Sequence, residues 1–222
     1  MSQIKSWEQR IGQQRDWIWR GWQIRYAYFR SFLNLNHEPY PPLILLHGFG
    51  AAIEHWRHNI SILAKQLTVY TLDLLGFGGS RKAATDYSIY LWAELVYDFW
   101  QTFIGQPVIL VGNSIGSLVF LTAADNYPDM VTGIVMLSLP DTSLRQEMIS
   151  RWLQPVVTTV ENLVISPLLI QGLLTIIRCP DVIRFLVKLA YEDSSAITDE
   201  LVEIIATPTY DEGASKTLYL LV

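Results

Sequence analysis

Apolar-rich runs recur along the first 140 residues and are separated by stretches with helical periodicity. From Trp22 to Tyr28, apolar and polar residues alternate, which predicts a half-buried strand. Four further runs predict buried strands: 43–46, 68–74, 108–111 and 131–139.

Helical patterns fill the gaps between these runs. We expect helices from about Ile53 to Gln66, from the N-cap Ser88 to about Ile104, and from Ile115 to about Asn126. Gly105 to Pro107 ends the second helix. Strands that alternate with helices predict βαβ crossovers and a mainly parallel sheet, so the fold class is α/β.

The pattern changes after Ser143. The pattern of residues 144–206 predicts helices that are interrupted at Pro155, Pro167 and Pro180. It predicts no strand. Thr198 precedes two acidic residues and predicts another N-cap, and Thr207-Pro208 ends that helix.

Composition and charge narrow the function classes. Half of the 222 residues are apolar and 17% are charged, which excludes a disordered chain. The net charge of -5 argues against a nucleic-acid partner, since such proteins carry a basic patch or stripe. The single cysteine, Cys179, excludes an internal disulfide and a thiolate zinc site.

The N-terminus offers two interpretations. It has no uninterrupted apolar stretch, so we expect no secretory signal and a cytoplasmic location. Ile4, Trp7 and Ile11 recur at helical spacing. They predict either a helix that covers the domain's own core or a surface-lying helix that makes peripheral membrane contact.

The pattern Gly112-x-Ser114-x-Gly116 lies between a predicted strand and a predicted helix. This context is typical of a nucleophile elbow, a strained turn that exposes a serine hydroxyl. The N-terminus of a helix that begins at Ile115 would also face developing negative charge. The alternative, a phosphate-binding loop, needs Gly-Lys-Ser/Thr or G-x-G-x-x-G, and neither is present.

A second glycine-flanked loop, from His47 to Gly50, follows another predicted strand. Acyl transfer needs two N–H donors that converge on an oxyanion. We assign them to the backbone N–H groups of Phe49 and Ile115, with Gly48 allowing close approach of the chain. His47 is interpreted as ordering this loop through hydrogen bonds rather than as the catalytic base. Asp73 is expected to anchor the loop from Gly76 to Ser80.

The remaining histidines do not predict a metal centre. His55 and His58 lie three residues apart without a third convergent ligand, so we expect neither a metal nor a cofactor.

Three motifs of this sequence resemble those of the α/β-hydrolase superfamily. They are HGFGA after one predicted strand, DLLGFGGS after the next and GNSIGS at the predicted elbow. The segments LDLLGFGGS, WAELVYDFWQTFI, VILVGNSIGSLV and GIVMLSLPD are similar to pheophytinase-like and chlorophyll-dephytylase-like esterases of oxygenic phototrophs. The resemblance implies an α/β-hydrolase core over residues 1–142, an inserted helical lid over 143–206 and a truncated return toward the core over 207–222.

Family enzymes use a serine, then an acid, then a histidine in chain order. No histidine follows His58, so the resemblance implies that the last two strands, the triad acid and the histidine are missing. Asp141 occupies an alternative acid position but cannot replace a histidine. We therefore expect a fragment, a frame-shifted product, a gene remnant or a chain completed by a partner, with the strand 131–139 left as an apolar edge.

These patterns predict a serine hydrolase acting on a small lipophilic ester through an acyl-enzyme at Ser114, and the resemblance implies a chlorophyll-derived phytyl ester as one such substrate. The 222-residue chain is expected to be inactive by itself. C–C bond hydrolases and acyltransferases share the serine and remain open. The alternative class is a catalytically inactive binding or scaffold protein. The sequence does not indicate the oligomeric state.

Overall fold

The computed structural model describes residues 11–31, 40–140, 172 and 174–221. Six strands are present in this part of the chain: β1 (Gln14–Trp19), β2 (Trp22–Phe29), β3 (Leu43–Leu46), β4 (Val69–Leu72), β5 (Val108–Asn113) and β6 (Val131–Leu137). The α-helices whose bounds lie within the described residues are α1 (Ile60–Leu63), α2 (Ile89–Phe103), α3 (Ile115–Asn126), α4 (Pro180–Ala190), α5 (Asp199–Ala206) and α6 (Ala214–Leu221).

The strands form one mixed sheet in the order β1-β2-β4-β3-β5-β6. β1 and β2 pair antiparallel, as do β2 and β4. The pairs of β3 with β4, β3 with β5 and β5 with β6 are all parallel. The predicted α/β fold class with a mainly parallel sheet is therefore confirmed.

Two predicted helix starts have the expected caps. The Ser88 side chain accepts a hydrogen bond from the Leu91 N–H and begins α2. The Thr198 hydroxyl does the same for the Leu201 N–H at the start of α5. Each cap satisfies one backbone donor that the first helical turn leaves without a partner.

The predicted helix from Ile53 to Gln66 is wrong as a continuous element. The chain instead forms a 3₁₀ turn at Ile53–Trp56 and the single-turn helix α1. Between them, the Asn59 N–H bonds to the Trp56 carbonyl three residues back, so the α-helical register is interrupted.

Strand β1 was not predicted from the sequence. It joins β2 through a two-residue hairpin at Arg20 and Gly21, both with positive φ (49° and 85°), and Trp19 pairs with Trp22. Two positive φ values are the signature of a hairpin turn that matches strand twist.

One apolar cluster joins residues of β2, β3 and β4 to the segment from Ile53 to Ala64. Ile11 is buried in it, whereas Ile4 and Trp7 of the predicted N-terminal helix lie outside the described residues. The buried members of this cluster are Ile11, Ala27, Leu43, Leu45, Ile53, Trp56, Ile60, Ala64 and Val69.

The chain divides into two compact units, and the second comprises residues 84–86 and 139–222. Within it, α4 and α5 pack through a small core: Ile183, Val187, Leu201 and Val202. Within the predicted helical segment 144–206, the described residues form helix at 174–177, α4, a 3₁₀ turn at Ser194–Ala196 and α5, with short irregular links between them, whereas 144–171 and Asp141 lie outside the described residues. Residues 214–221 form α6. No helix of the described residues has the length and apolarity needed to cross a bilayer.

Strand β6 lies at one edge of the described sheet, as expected. Three consecutive side chains on it are more than 40% exposed: Val135, Met136 and Leu137. This strand has the apolar character of an interior strand but pairs on one side only within the described sheet.

Candidate active site

The connections of β3, β4 and β5 create a crevice at one edge of the sheet. From β3 the chain crosses to β4 on one side, and from β4 it crosses back to β5 on the other side of β3. In open α/β sheets, ligands bind outside the carboxyl ends of the strands at such a switch point. The loop after β3 and the turn after β5 both leave from this point.

Ser114 lies at the sharp turn between β5 and α3. Its backbone has φ 52° and ψ -118°, a strained conformation for a residue with a side chain. The Ser114 N–H donates to the Leu137 carbonyl at 2.8 Å, which ties the turn to the end of β6. The Ser117 hydroxyl donates to the Gly112 carbonyl at 2.8 Å and so closes the same turn from the helix side.

The two glycines of the motif are required by close backbone contacts. A Cβ at Gly112 would lie 2.6 Å from backbone atoms of Gly116 and Ser117. A Cβ at Gly116 would lie 2.6 Å from the His47 carbonyl oxygen and 2.7 Å from that of Leu46. Strand β5, helix α3 and strand β3 therefore meet at distances that exclude any side chain.

The loop after β3 lies directly against the turn at Ser114. A Cβ at Gly48 would be 3.3 Å from the Cβ of Ser114. Phe49 follows with its side chain 55% exposed, and its ring meets the edge of Phe77 at 5.3 Å between centroids. Ile115 begins α3, where N–H groups have no acceptor within the helix. The predicted oxyanion donors Phe49 and Ile115 thus flank Ser114 along the chain segments that converge there.

His47 is completely buried and bonds only to backbone through its ring. Its Nε2 accepts a hydrogen bond from the Leu74 N–H at 3.0 Å, so the proton must reside on Nδ1, which donates to the Gly48 carbonyl at 2.7 Å. Burial lowers the pKa of His47 to about 4 and keeps the ring neutral at physiological pH. This arrangement fits the predicted ordering of the loop and leaves neither nitrogen available as a base for Ser114.

Asp73 follows β4 and is also buried. One carboxylate oxygen accepts from the Ile53 N–H at 2.7 Å and the other from the Gly79 N–H at 2.7 Å. The Ser80 hydroxyl donates to the Asp73 backbone carbonyl at 2.8 Å. The predicted anchoring of the loop from Gly76 to Ser80 is confirmed, and the contact to Ile53 adds a second loop that the sequence did not indicate.

Several charged groups surround this carboxylate. Lys82 donates through Nζ to the carbonyls of Gly78 and Ser80 at 2.6 and 2.9 Å. Burial raises the pKa of Asp73 to about 6, and burial together with the Asp73 charge raises the pKa of Glu54 to about 7. Glu54 accepts one hydrogen bond from the Gln14 side chain at 3.2 Å.

The other histidines do not form a ligand cluster in the described part of the chain. His55 lies in the 3₁₀ turn, where burial lowers its pKa to about 4, and His58 is exposed. His37 lies outside the described residues. Within the described ranges, no three His, Cys, Asp or Glu side chains converge as metal ligands.

Two site contacts were missed from the sequence because they involve main-chain atoms. The Leu137 carbonyl holds the Ser114 N–H, and the Leu74 N–H selects the His47 tautomer. Backbone groups carry no signature in a sequence. The available signal was that Leu74 ends one predicted strand, 68–74, and that Leu137 lies near the end of another, 131–139.

The α/β hydrolase fold family matches residues 41–159. This segment covers more than half of the chain and includes the loop after β3 and the elbow after β5. The chain belongs to the α/β-hydrolase fold family.

Individual relatives match a shorter stretch. The (lyso)-N-acylphosphatidylethanolamine lipase of Homo sapiens is 34% identical over 100 residues, which cover 43% of this chain and 29% of that protein. The (E)-2-((N-methylformamido)methylene)succinate hydrolase of Acinetobacter baylyi is 32% identical over 97 residues, 44% of this chain and 37% of that protein. These matched segments span less than two fifths of the relatives' own length.

A solved structure is similar over nearly the whole chain. The meta-cleavage product hydrolase from Pseudomonas fluorescens has a TM-score of 0.69 at 20% identity, covering 95% of this chain and 68% of that one. At this identity the similarity shows the shared fold, and this chain is shorter than that hydrolase.

Proposed function

We propose that this chain carries the nucleophile and the oxyanion-binding part of a serine hydrolase that cleaves a lipophilic carboxylic ester. The observation that carries the proposal is the strained backbone of Ser114 beside Gly48. Backbone strain of this kind is maintained at functional sites where it presents a reactive group. A structural turn without a function would relieve the strain with glycine at position 114.

The proposed chemistry follows from this geometry. The Ser114 Oγ attacks the ester carbonyl while a base removes its proton, and the negative charge that develops on the carbonyl oxygen is held by the N–H groups of Phe49 and Ile115. Collapse of the tetrahedral intermediate breaks the C–O bond to the alcohol and leaves an acyl-enzyme. Water then releases the acid and restores Ser114.

The base is the element that we do not assign to this chain. His47 has both ring nitrogens committed to backbone groups, and no histidine follows His58 in the sequence. A serine without an adjacent base is a poor nucleophile, and loss of the triad lowers turnover by about 10⁶-fold. We therefore propose that the 222-residue chain does not turn over esters alone.

A lipophilic substrate is supported by two features. The human relative is a lipase by name. The exposed ring of Phe49, the residue after the Gly48 that lies against Ser114, offers an apolar surface to a substrate. A phytyl ester is the particular substrate that the resemblance to chlorophyll-dephytylase-like esterases implies.

The test compares two forms of the chain on p-nitrophenyl esters of increasing acyl length and on a phytyl ester. One form is the 222-residue chain, and the other carries a C-terminal segment of a family member that supplies the acid and the histidine. We expect hydrolysis only from the extended form, abolished by Ser114→Ala and favoured by longer acyl chains. Ser114-dependent hydrolysis by the short form would contradict the proposed absence of a base. Tight ester binding by the extended form without turnover would favour the binding-protein alternative.

A further inference from the structure

Residues 48–53 form a loop, here called the oxyanion loop, whose two ends are both tethered to the carboxyl end of β4. At one end, the His47 ring bridges the Gly48 carbonyl and the Leu74 N–H. At the other end, the Ile53 N–H donates to the Asp73 carboxylate at 2.7 Å. Asp73 and Leu74 are adjacent residues directly after β4. Each of them holds one end of the oxyanion loop.

Within the oxyanion loop, Ala51 and Ala52 are buried and the Ala51 N–H donates to the Gly48 carbonyl at 3.3 Å, whereas the two residues before them have few contacts. Phe49 and Gly50 are both exposed, and Gly50 has φ +66°, so this stretch has the backbone freedom of glycine. The Phe49 ring touches Phe77 only through an edge-on contact. A loop of this kind needs its ends held if its N–H groups are to stay in one orientation.

Asp73 is itself held rigidly. Its backbone N–H donates to the Arg25 carbonyl at 2.9 Å, and its backbone carbonyl accepts from the Ser80 hydroxyl at 2.8 Å. The second carboxylate oxygen is occupied by the Gly79 N–H at 2.7 Å. The Asp73 backbone is therefore fixed by Arg25 and Ser80, and its carboxylate cannot turn away from Ile53 without also straining or breaking its bond to the Gly79 N–H.

We propose that Asp73 is a positioning residue that holds the oxyanion loop so that the Phe49 N–H faces the carbonyl site at Ser114. Donors aimed at developing charge contribute most when they are already oriented before reaction. The role given to the Phe49 N–H rests on the proposed function, whereas the tether itself does not.

The charge of Asp73 makes this tether sensitive to pH. The ionisable groups that face it are His47 from the end of β3, Glu54 from the 3₁₀ turn, Lys82 from the following loop and Arg25 from β2. Lys82 and Arg25 favour the carboxylate, whereas burial and Glu54 disfavour it. Because the pKa of Asp73 is raised to about 6, acidification to pH 5 protonates it while His47, with a pKa of about 4, stays neutral.

The experiment is backbone NMR on the ¹⁵N-labelled 222-residue chain, comparing wild type, Asp73→Asn and the matched control Glu54→Gln at pH 7.5. Asparagine keeps the shape but offers an amide where two N–H donors now meet a carboxylate. We expect Asp73→Asn to speed hydrogen exchange of the Ile53 and Gly79 amides by about tenfold or more. We also expect the order parameters of Phe49 and Gly50 to fall from about 0.85 to below about 0.6. Core amides of β3 and β5 should be unaffected by Asp73→Asn, and Glu54→Gln should neither speed exchange of the Ile53 and Gly79 amides nor lower the order parameters of Phe49 and Gly50.

The second measurement follows the order parameter of Phe49 in the wild type as the pH is lowered. It does not depend on whether a variant folds. Lowering the pH of the wild type from 7.5 to 5 should reproduce the loss of order at Phe49 reversibly, and Glu54→Gln should show the same loss. The proposal is overturned if Phe49 keeps its order while the Ile53 and Gly79 bonds are lost, or if acidification leaves Phe49 unchanged. Since neither readout requires turnover, a failure of the proposed hydrolase function is distinguishable from a failure of this inference.

Discussion

The oxyanion loop after β3 and the turn after β5 lie side by side, yet they are held in different ways. The turn at Ser114 is enforced by sterics, because Gly112 and Gly116 bring backbone to backbone within distances that exclude a Cβ. The oxyanion loop is held by polar contacts from His47 and Asp73 to distant main-chain groups. The comparison teaches that one half of the candidate site depends on two glycines that lie next to its serine in the sequence, whereas the other half depends on Asp73 and Leu74, which are 20 or more residues away and follow β4.

Substitution in the turn at Ser114, which is enforced by close backbone contacts, should have the largest effect on the free energy of unfolding. Gly116→Ala places a Cβ against the carbonyls of His47 and Leu46, so we expect it to lower the free energy of unfolding by more than about 3 kcal/mol or to prevent folding. The control is Gly133→Ala in β6, where a Cβ meets nothing within 4 Å. Urea denaturation measures both, and similar midpoints for the two variants would show that the close approach is not required.

The oxyanion loop, which is held by polar contacts, should lose stability when the His47 imidazole is removed. His47→Phe retains an aromatic ring but leaves the buried Leu74 N–H without its acceptor and removes one of the two donors, His47 and the Ala51 N–H, that the Gly48 carbonyl now has. We expect a loss of about 2–3 kcal/mol in the free energy of unfolding. His58→Phe, at an exposed position, serves as the control. A loss no greater than the control's would mean that the tether contributes nothing to stability.

The stability of the turn and that of the oxyanion loop should also depend differently on pH. The turn from 112 to 116 contains no titratable residue, whereas Glu54 adjoins the oxyanion loop. Its pKa is raised from 4.5 to about 7, so its protonated form stabilises the fold below about pH 4.5, and this contribution is lost as the pH rises through about 7. Glu54→Gln should therefore match the wild type near pH 4.5 and exceed its stability at pH 8 by about 1–2 kcal/mol.

Chemical denaturation at the two pH values measures this difference, with Asp125→Asn at an exposed position of α3 as the control. An advantage of Glu54→Gln that is the same at both pH values would rule out titration of a buried carboxyl as its cause.

The smallest effect concerns strain at Ser114. Ser114→Gly relieves a φ of 52° and should raise the free energy of unfolding by about 1 kcal/mol. Ser114→Ala keeps a Cβ at the same φ and should bring no gain. If both variants gain equally, the cause is loss of the hydroxyl rather than relief of backbone strain.

The same contrast explains what could be predicted from the sequence. The elbow was found because Gly112, Ser114 and Gly116 act within one short segment between a strand and a helix. The caps Ser88 and Thr198 were found for the same reason. The role of His47 in ordering its own loop follows from its place in the motif, but its partner Leu74 lies 27 residues away.

The sequence predictions failed where distant or main-chain contacts decide the local structure. The segment after Ile53 has an apolar helical pattern, yet its first N–H is bound by Asp73, 20 residues further along, and the helical register breaks before Ile60. Strand β1 was missed because polar residues dominate its first half. The Arg20-Gly21 pair between two tryptophan-containing segments was the signal for its hairpin.

The central proposal is that this chain carries the nucleophile and the oxyanion loop of a serine hydrolase but supplies no base for Ser114. The most direct measurement is peptide mapping by mass spectrometry after treatment with a fluorophosphonate, which modifies only an activated serine. We predict no adduct on the 222-residue chain and a single adduct on Ser114 in the form extended with the acid and histidine. An adduct on Ser114 of the short chain, or none on Ser114 of the extended form, would contradict the account.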